Sequence, residues 1–328
     1  MIKRVLSGIR ATGRLHLGNY LGAVKGMLEL QNDPGYETLF MVADIHTITT
    51  PFNIDELRKN RREVITDYLA AGLNPEKSII FLQSEVSEHI ELAFYFSSVT
   101  TIARMQHLPT YKDKVKQHPG HNTMALLNYP VLMAADILIY KASLVPVGID
   151  QEPHLEVTRE IARKMNQQYG TDFPEPVRFA TKGEYIPSLK GEGKMSKSVE
   201  GSYINMTDDL DTIKIKLSKV PTDSGKEGGP IPKIGGVRSL YELYKLFAPE
   251  KFDEDFTKPY ESGLIRYQSL KNHLAEITYK ELKPIQEKRK KLETDIAFVD
   301  NVIKEGAEKA RTIASKTVNE VRQKMGLL

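Results

Sequence analysis

The stretch Arg4-Val5-Leu6-Ser7-Gly8-Ile9-Arg10-Ala11-Thr12-Gly13-Arg14-Leu15-His16-Leu17-Gly18-Asn19-Tyr20 decides the fold class. Its first residues are short, branched and apolar, the pattern of a buried strand. They run directly into a Gly-containing loop, and a helical pattern opens near Asn19 and continues to Leu30. Helix starts present unpaired N–H groups and a partial positive charge, so this order of elements suits a phosphate. Gly18 permits close approach of a nucleotide where a side chain would block it. His16 either donates to a phosphate oxygen or caps the turn. Standing alone, such a loop is equally a tight strand-to-helix connection.

Outward from this stretch the alternation repeats. Thr38–Ala43, Ser78–Leu82 and Leu144–Val147 read as further buried strands. Between them Ile54–Ala71, Glu88–Ala103, Met124–Tyr140 and Glu152–Asn166 read as helices. Acidic residues open the first of these and Gly72 with Pro75 closes it. Apolar strands alternating with helices predict an α/β fold, a Rossmann-like doubly wound parallel sheet covered on both faces. From Thr207 the texture changes. Thr207–Leu217, Ser239–Leu246, Lys271–Lys291 and Ile296–Met325 read as polar helices, and Pro221–Val237 as a Gly- and Pro-rich loop. Residues 1–205 are therefore expected to form the sheet domain and residues 206–328 an all-α domain.

Composition removes several classes. The chain has 328 residues, 40% hydrophobic and 27% charged, which is ordinary for a folded globular protein. There is no cysteine. Disulfide frameworks, thiol nucleophiles, iron–sulfur clusters and Cys-based zinc sites are thereby excluded, and a reducing cytoplasm fits. No apolar run approaches the ~20 residues of a membrane span, and the first residues lack the apolar core of a signal peptide. The net charge of +3 falls wholly within residues 201–328. That bias suits contact with a phosphate backbone without marking a DNA-coating protein.

A second chemical segment is Gly191-Glu192-Gly193-Lys194-Met195-Ser196-Lys197-Ser198. Its two lysines, in a Gly-flanked and Ser-rich loop, suit a lid that neutralises polyphosphate charge. Alone it is equally an exposed charged loop. A doubly wound sheet gathers ligands at the carboxyl ends of its strands, and this can bring the two segments onto one nucleotide. Asp136 is a lone carboxylate in the apolar helix Met133-Ala134-Ala135-Asp136-Ile137-Leu138. Either it faces solvent or Lys141, or it accepts a buried ligand N–H, because an ionised group among apolar side chains needs a partner.

His16-Leu17-Gly18-Asn19 resembles the H-I-G-H signature of class I aminoacyl-tRNA synthetases, and Lys194–Ser198 fully matches their K-M-S-K-S signature. Asn19 in place of the last histidine resembles the tryptophanyl branch. The resemblance to bacterial tryptophanyl-tRNA synthetases extends through Met41–His46, Tyr129–Leu138 and Val145–His154. Arg10-Ala11-Thr12 stands where that family often has Gln-Pro-Ser, and Ile149 where an acidic residue is frequent.

The resemblance implies activation of L-tryptophan by ATP with Mg2+ and transfer to tRNA(Trp), in a cytoplasmic homodimer whose last helix can pack back on the first domain. It gives catalytic roles to His16, Asn19, Lys194 and Lys197. It places ATP on Arg10, Ala11, Thr12, Gly18 and Asn19, on Gly148, Ile149, Asp150 and Ile186, and on Lys194, Met195, Ser196, Lys197 and Ser198. It gives the indole N–H to Asp136, the pocket walls to Leu6, Met133, Val145 and Val147, and the amino acid's ammonium and carboxylate to Tyr129 and Gln151. No protein-ligated metal, membrane or DNA is implied. Lys112-Asp113-Lys114 reads as a solvated face or a substrate contact, and His46 and His154 as site or packing residues. Tyrosyl-tRNA ligation on the same fold is the nearest rival. A small-molecule nucleotidyltransferase leaves the helical domain unexplained, and a non-catalytic RNA-binding relative leaves both intact signatures unexplained.

Overall fold

The computed structural model describes residues 2–180, 185–197, 199–226 and 228–328. The opening apolar run forms β1 (Lys3–Arg10), followed by β2 (Tyr36–Ala43), β3 (Ser78–Leu82), β4 (Leu144–Pro146) and β5 (Val177–Phe179). They make one five-stranded sheet in the order β3-β2-β1-β4-β5. Every pairing is parallel, with Leu6 beside Leu39 and Phe40 beside Ile80 in register. Strands covered on both faces carry apolar residues without alternation; the last six residues of β2 are all buried.

Crossover helices follow the strands. α1 (Ile54–Ala71) starts where the Asn53 side chain accepts the Glu56 N–H at 3.0 Å and stops at Gly72, whose φ is 116°. α2 (Glu88–Ser97) is shorter than the expected helix to Ala103. Ser97, Ser98 and Thr100 donate their hydroxyls to carbonyls three or four residues back, and Thr101 caps a separate helix, Ile102–Gln106. Such side-chain bonds compete with helix propagation. α3 (Met124–Ile139) is buried along most of its length, and α4 (Glu152–Tyr169) ends at Gly170.

The chain divides into two compact units. The first holds Met1–Gly13, Met27–Thr181 and Leu292–Leu328, and so contains the whole sheet; the second holds Arg14–Gly26 and Lys182–Lys291. In the second unit lie α5 (Leu210–Ser218), α6 (Gly236–Phe247) and most of α7 (Tyr267–Thr294). Within it Glu281 of α7 accepts from the Tyr20 hydroxyl at 2.8 Å and pairs with Lys25 at 2.9 Å, tying the first signature to the helices.

The division departs from the boundary expected at residue 205. Residues 14–26 and 182–205 group with the helices, while the last helix, α8 (Ile296–Lys324), groups with the sheet. The reason is α8's narrow stripe of small apolar residues. Val299, Val302, Ala307, Ala310, Ala314, Val318 and Val321 are buried, and α8 packs on β3, α1 and α2. A Cβ added at Gly306 would lie 1.8 Å from the Ile80 carbonyl oxygen, so only glycine admits this approach.

Candidate active site

At the carboxyl end of the sheet, the first unit encloses a cavity of about 310 Å³. β1 contributes Leu6 and Arg10, β4 contributes Val145 with Val147 just beyond it, and α3 contributes Tyr129, Met133 and Asp136. Gln151 completes the set of residues expected to hold the amino acid, all on one cavity wall. His46, Lys114 and His154, ambiguous in the sequence, line it too. Lys112 and Asp113 are exposed on the helix Pro109–Gln117.

Asp136 is 2% exposed. Its Oδ1 accepts from Gln83 Nε2 at 2.8 Å and from His89 Nδ1 at 2.6 Å, and its Oδ2 accepts from His46 Nε2 at 2.8 Å. Burial pushes the Asp136 carboxyl up, but hydrogen bonds from His46 and His89 outweigh it and hold the group below the usual carboxylate range. A carboxylate has about four acceptor positions, so one remains, on Oδ2. Lys141 is not its partner: that ammonium pairs with Asp172 and with Glu320. Gln83 also accepts the Ile45 and His46 N–H groups at 3.1 and 3.3 Å, fixing the turn that carries His46. Sequence reasoning passed over Gln83 and His89. Their only signal was polar identity just beyond an apolar strand.

A second chain of bonds orients the other polar groups. His154 Nδ1 donates to Gln151 Oε1 at 2.8 Å, so Nε2 accepts, with the Thr110 and Tyr129 hydroxyls at 2.7 and 2.8 Å. Burial, then the neighbouring His46, pushes the His154 pKa down to about 4, which keeps the ring neutral near pH 7. The Ala11 N–H is spent on the Thr47 hydroxyl at 3.1 Å, and the Ala11 side chain is buried. Gly148 precedes the turn Ile149–Gln151, in which Ile149 and Asp150 are exposed; Thr12 is exposed as well.

The two signatures meet inside the second unit. Leu17 N–H bonds to the Ile204 carbonyl at 2.8 Å and Met206 N–H to that of Leu15 at 3.3 Å, seating the first signature just beyond the second. A Cβ at Gly18 would lie 2.9 Å from the His16 ring and 3.2 Å from Met195 Cβ. Glycine is thus favoured first by its own signature's His16 ring and then by the close Met195, besides any room it leaves for a nucleotide. His16 and Asn19 cap one another: His16 Nδ1 accepts the Asn19 N–H at 3.3 Å, and Asn19 Oδ1 accepts the His16 N–H at 3.2 Å. The cap uses Nδ1 and leaves Nε2, so capping does not exclude the expected phosphate contact. Burial, then the charges of Lys197 and Lys194, push the His16 pKa down to about 4. Lys194 is exposed and Lys197 half-buried. Met195 N–H bonds to the Ile186 carbonyl at 2.8 Å, and Ser196 bonds with the Ser202 hydroxyl. Ser198 lies outside the described residues.

Residues 3–283 match the family described as tRNA synthetases class I (W and Y). The tryptophan–tRNA ligase of Porphyromonas gingivalis is 40% identical over 99% of this chain and 99% of its own. The chain belongs to the tryptophan–tRNA ligase family of class I synthetases. Among solved structures, the tryptophanyl-tRNA synthetase of Mycoplasma pneumoniae is 31% identical, with a TM-score of 0.87 over 100% of this chain and 99% of that one. The Campylobacter jejuni enzyme, described as complexed with ADP and tryptophan, is 32% identical, with a TM-score of 0.84 over 99% and 100%. The tyrosine rival is set aside by a full-length relative at 40% identity that is a tryptophan ligase. In this ligase family ATP is the energy-supplying substrate.

Proposed function

We propose that the cavity of the first unit binds L-tryptophan and that the paired signatures of the second unit bind the phosphates of ATP. The protein is an ATP-dependent tryptophan–tRNA ligase. The observation that carries the reading is the buried Asp136 carboxylate, braced by three donors and left with one acceptor position in a cavity that also presents the apolar Leu6, Met133, Val145 and Val147. An indole N–H supplies the missing donor; phenylalanine has none.

The α-carboxylate of tryptophan attacks the α-phosphorus of ATP. The new O–P bond forms as the bond to diphosphate breaks. A carboxylate is ionised near pH 7, so the step needs positioning and charge stabilisation rather than a base. Lys194, Lys197 and His16 Nε2 supply the stabilisation. Mg2+ travels with the ATP phosphates and adds positive charge there. Ile186, in the same unit as the paired signatures, offers backbone groups to the adenine. The adenylate then passes its acyl group to a terminal ribose hydroxyl of tRNA(Trp). Helices α5–α7 face the anticodon end, where the basic surplus suits phosphate contact.

The enzyme acts in the cytoplasm; among the described residues no helix is long and apolar enough to cross a membrane. It is a homodimer. On the first unit Phe94, Ile102 and Met124, exposed by 77%, 61% and 71%, line one shallow groove that a second copy covers. Diphosphate exchange into ATP, measured with each amino acid in turn, tests the activity. Exchange stimulated by tryptophan alone is expected, and exchange stimulated by tyrosine instead overturns the reading.

A further inference from the structure

Arg10 ends the central strand β1, and its guanidinium lines the cavity that holds Asp136. Among the described residues it has no acidic partner there. Nη2 donates to the Thr50 hydroxyl at 2.8 Å and touches the Thr47 carbonyl at 3.5 Å. Nε is buried and has no partner among the described residues. Among the described residues Asp136 is the single acidic side chain on the cavity wall, and its bonds go to His46, His89 and Gln83. A second cation on the wall, Lys114, is bonded to a neutral oxygen, Gln117 Oε1 at 2.9 Å. Burial lowers the pKa of Arg10, and burial followed by the nearby Arg10 charge lowers that of Lys114. Two cations that face one cavity with neutral partners repel each other until an anion enters.

We infer that Arg10 receives the α-carboxylate of the amino acid, and that it makes the site select for a free carboxylate over the corresponding amine or amide. The inference rests on the tryptophan-activating reading and deepens it. The resemblance set Arg10 on ATP; its place on the cavity wall assigns it to the amino acid. A guanidinium offers a carboxylate parallel N–H groups in a fixed fork, and it stays charged at every pH the enzyme meets. Thr50 holds the guanidinium in place at the cavity wall, and Nε is buried without a partner among the described residues. One carboxylate oxygen accepts from the guanidinium and the other remains to attack phosphorus. Arg10 moves no proton in that step. Tyr129 and Gln151, already oriented through His154, are left for the ammonium group.

The test compares three ligands, tryptophan, tryptophanamide and tryptamine, by calorimetric binding to the full-length protein without nucleotide. The wild type is expected to prefer tryptophan over tryptamine by at least about tenfold, the strength of one hydrogen bond to a charged group. Arg10→Gln is expected to lower that preference about tenfold while the affinity for tryptamine stays the same, and Arg10→Lys to restore part of it. Unchanged tryptamine binding also shows that the variant's cavity is intact. An unchanged preference in Arg10→Gln overturns the inference. So does an equal loss for all three ligands, which would mark Arg10 as a brace for Thr50. A wild type that binds no tryptophan overturns the ligase reading itself, and is thereby distinguished from a wild type that binds it with an Arg10-independent preference.

Discussion

At Asp136 the chemistry of recognition depends on counting lone pairs. Three are occupied by protein donors, and in the proposed function the fourth carries the discrimination. In Asp136→Asn the bonds from Gln83 and His89 are kept on the remaining oxygen, while the position offered to the indole becomes an N–H. The KM for tryptophan is expected to rise about 10- to 100-fold with a smaller change in kcat, read by diphosphate exchange. An unaltered KM would show that the carboxylate serves only the fold. Lys197 tests the opposite substrate. In the proposed function its ammonium contributes where phosphate charge builds up, so Lys197→Ala is expected to slow exchange by about 100-fold or more while calorimetric tryptophan affinity holds. Lost affinity at an unchanged rate would refute that role. These residues could be read from the chain because each breaks its local pattern: a carboxylate in an apolar helix, two lysines in a Gly–Ser loop. Gln83 and His89 break no pattern. Each is an ordinary polar residue at the end of a strand or the start of a helix, and its importance exists only in three dimensions. Likewise the sequence let Lys141 compete for Asp136, and only the direction each side chain takes from its own backbone separates them.

At the level of elements, the four strands expected from apolar runs are present, because a strand buried on both faces must be apolar throughout. β5 lay outside that logic. It is three residues long, holds Arg178, leaves Val177 half exposed and pairs only with β4; an edge strand has one neighbour and no need of a continuous apolar run. The end of α2 was hidden for another reason. Its helical periodicity continues past Ser97, and what stops it is a run of hydroxyls that bond back to the carbonyls. α8 was legible as a helix from its periodicity, whereas its place in the sheet unit came only from the family resemblance, since small residues such as Ala310 and Ala314 carry little hydropathy and yet define its packing face. Gly306 gives the sharpest test of that face. In a free helix, glycine to alanine gains about 1 kcal/mol. Here the new Cβ would meet the Ile80 carbonyl oxygen at 1.8 Å, and α8 would have to move off β3. Gly306→Ala is therefore expected to cost about 2 kcal/mol or more and to lower Tm by at least about 4 °C in a thermal melt. A stabilised variant would show that the helix does not rest on the strand.

Across the whole molecule, protonation links the two units to one acid response. His154 belongs to the first unit and His16 to the second, and burial holds each at a pKa of about 4. Unfolded, each returns to about 6.5. Between those values the unfolded chain binds protons that the folded chain refuses, so stability falls as pH drops from about 6.5 to about 4. Above pH 7 both rings are neutral in either state and their contribution no longer changes. Asp136 acts at lower pH: its depressed pKa gives stability that is present above the ordinary carboxylate value and is lost only as pH falls through its folded pKa. The histidines therefore set the onset of acid loss. The urea midpoint is expected to be flat from pH 8 to 7 and to decline steadily below 6.5, each ring accounting for on the order of 2 kcal/mol by pH 4. His154→Gln keeps a polar side chain against Gln151 and Tyr129 but cannot take up the proton. Its midpoint should start lower at pH 7 and decline with a shallower slope. A slope as steep as that of the parent would mean that the protons responsible bind elsewhere. His16 adds a ligand-dependent contrast. Phosphate oxygens beside Nε2 favour the charged ring, so saturating ATP is expected to reduce the acid loss assigned to the second unit while leaving that of the first in place. Measured in His154→Gln, where only the His16 part remains, ATP should flatten most of the residual slope between pH 6.5 and 5. No change on adding ATP would separate His16 from the nucleotide.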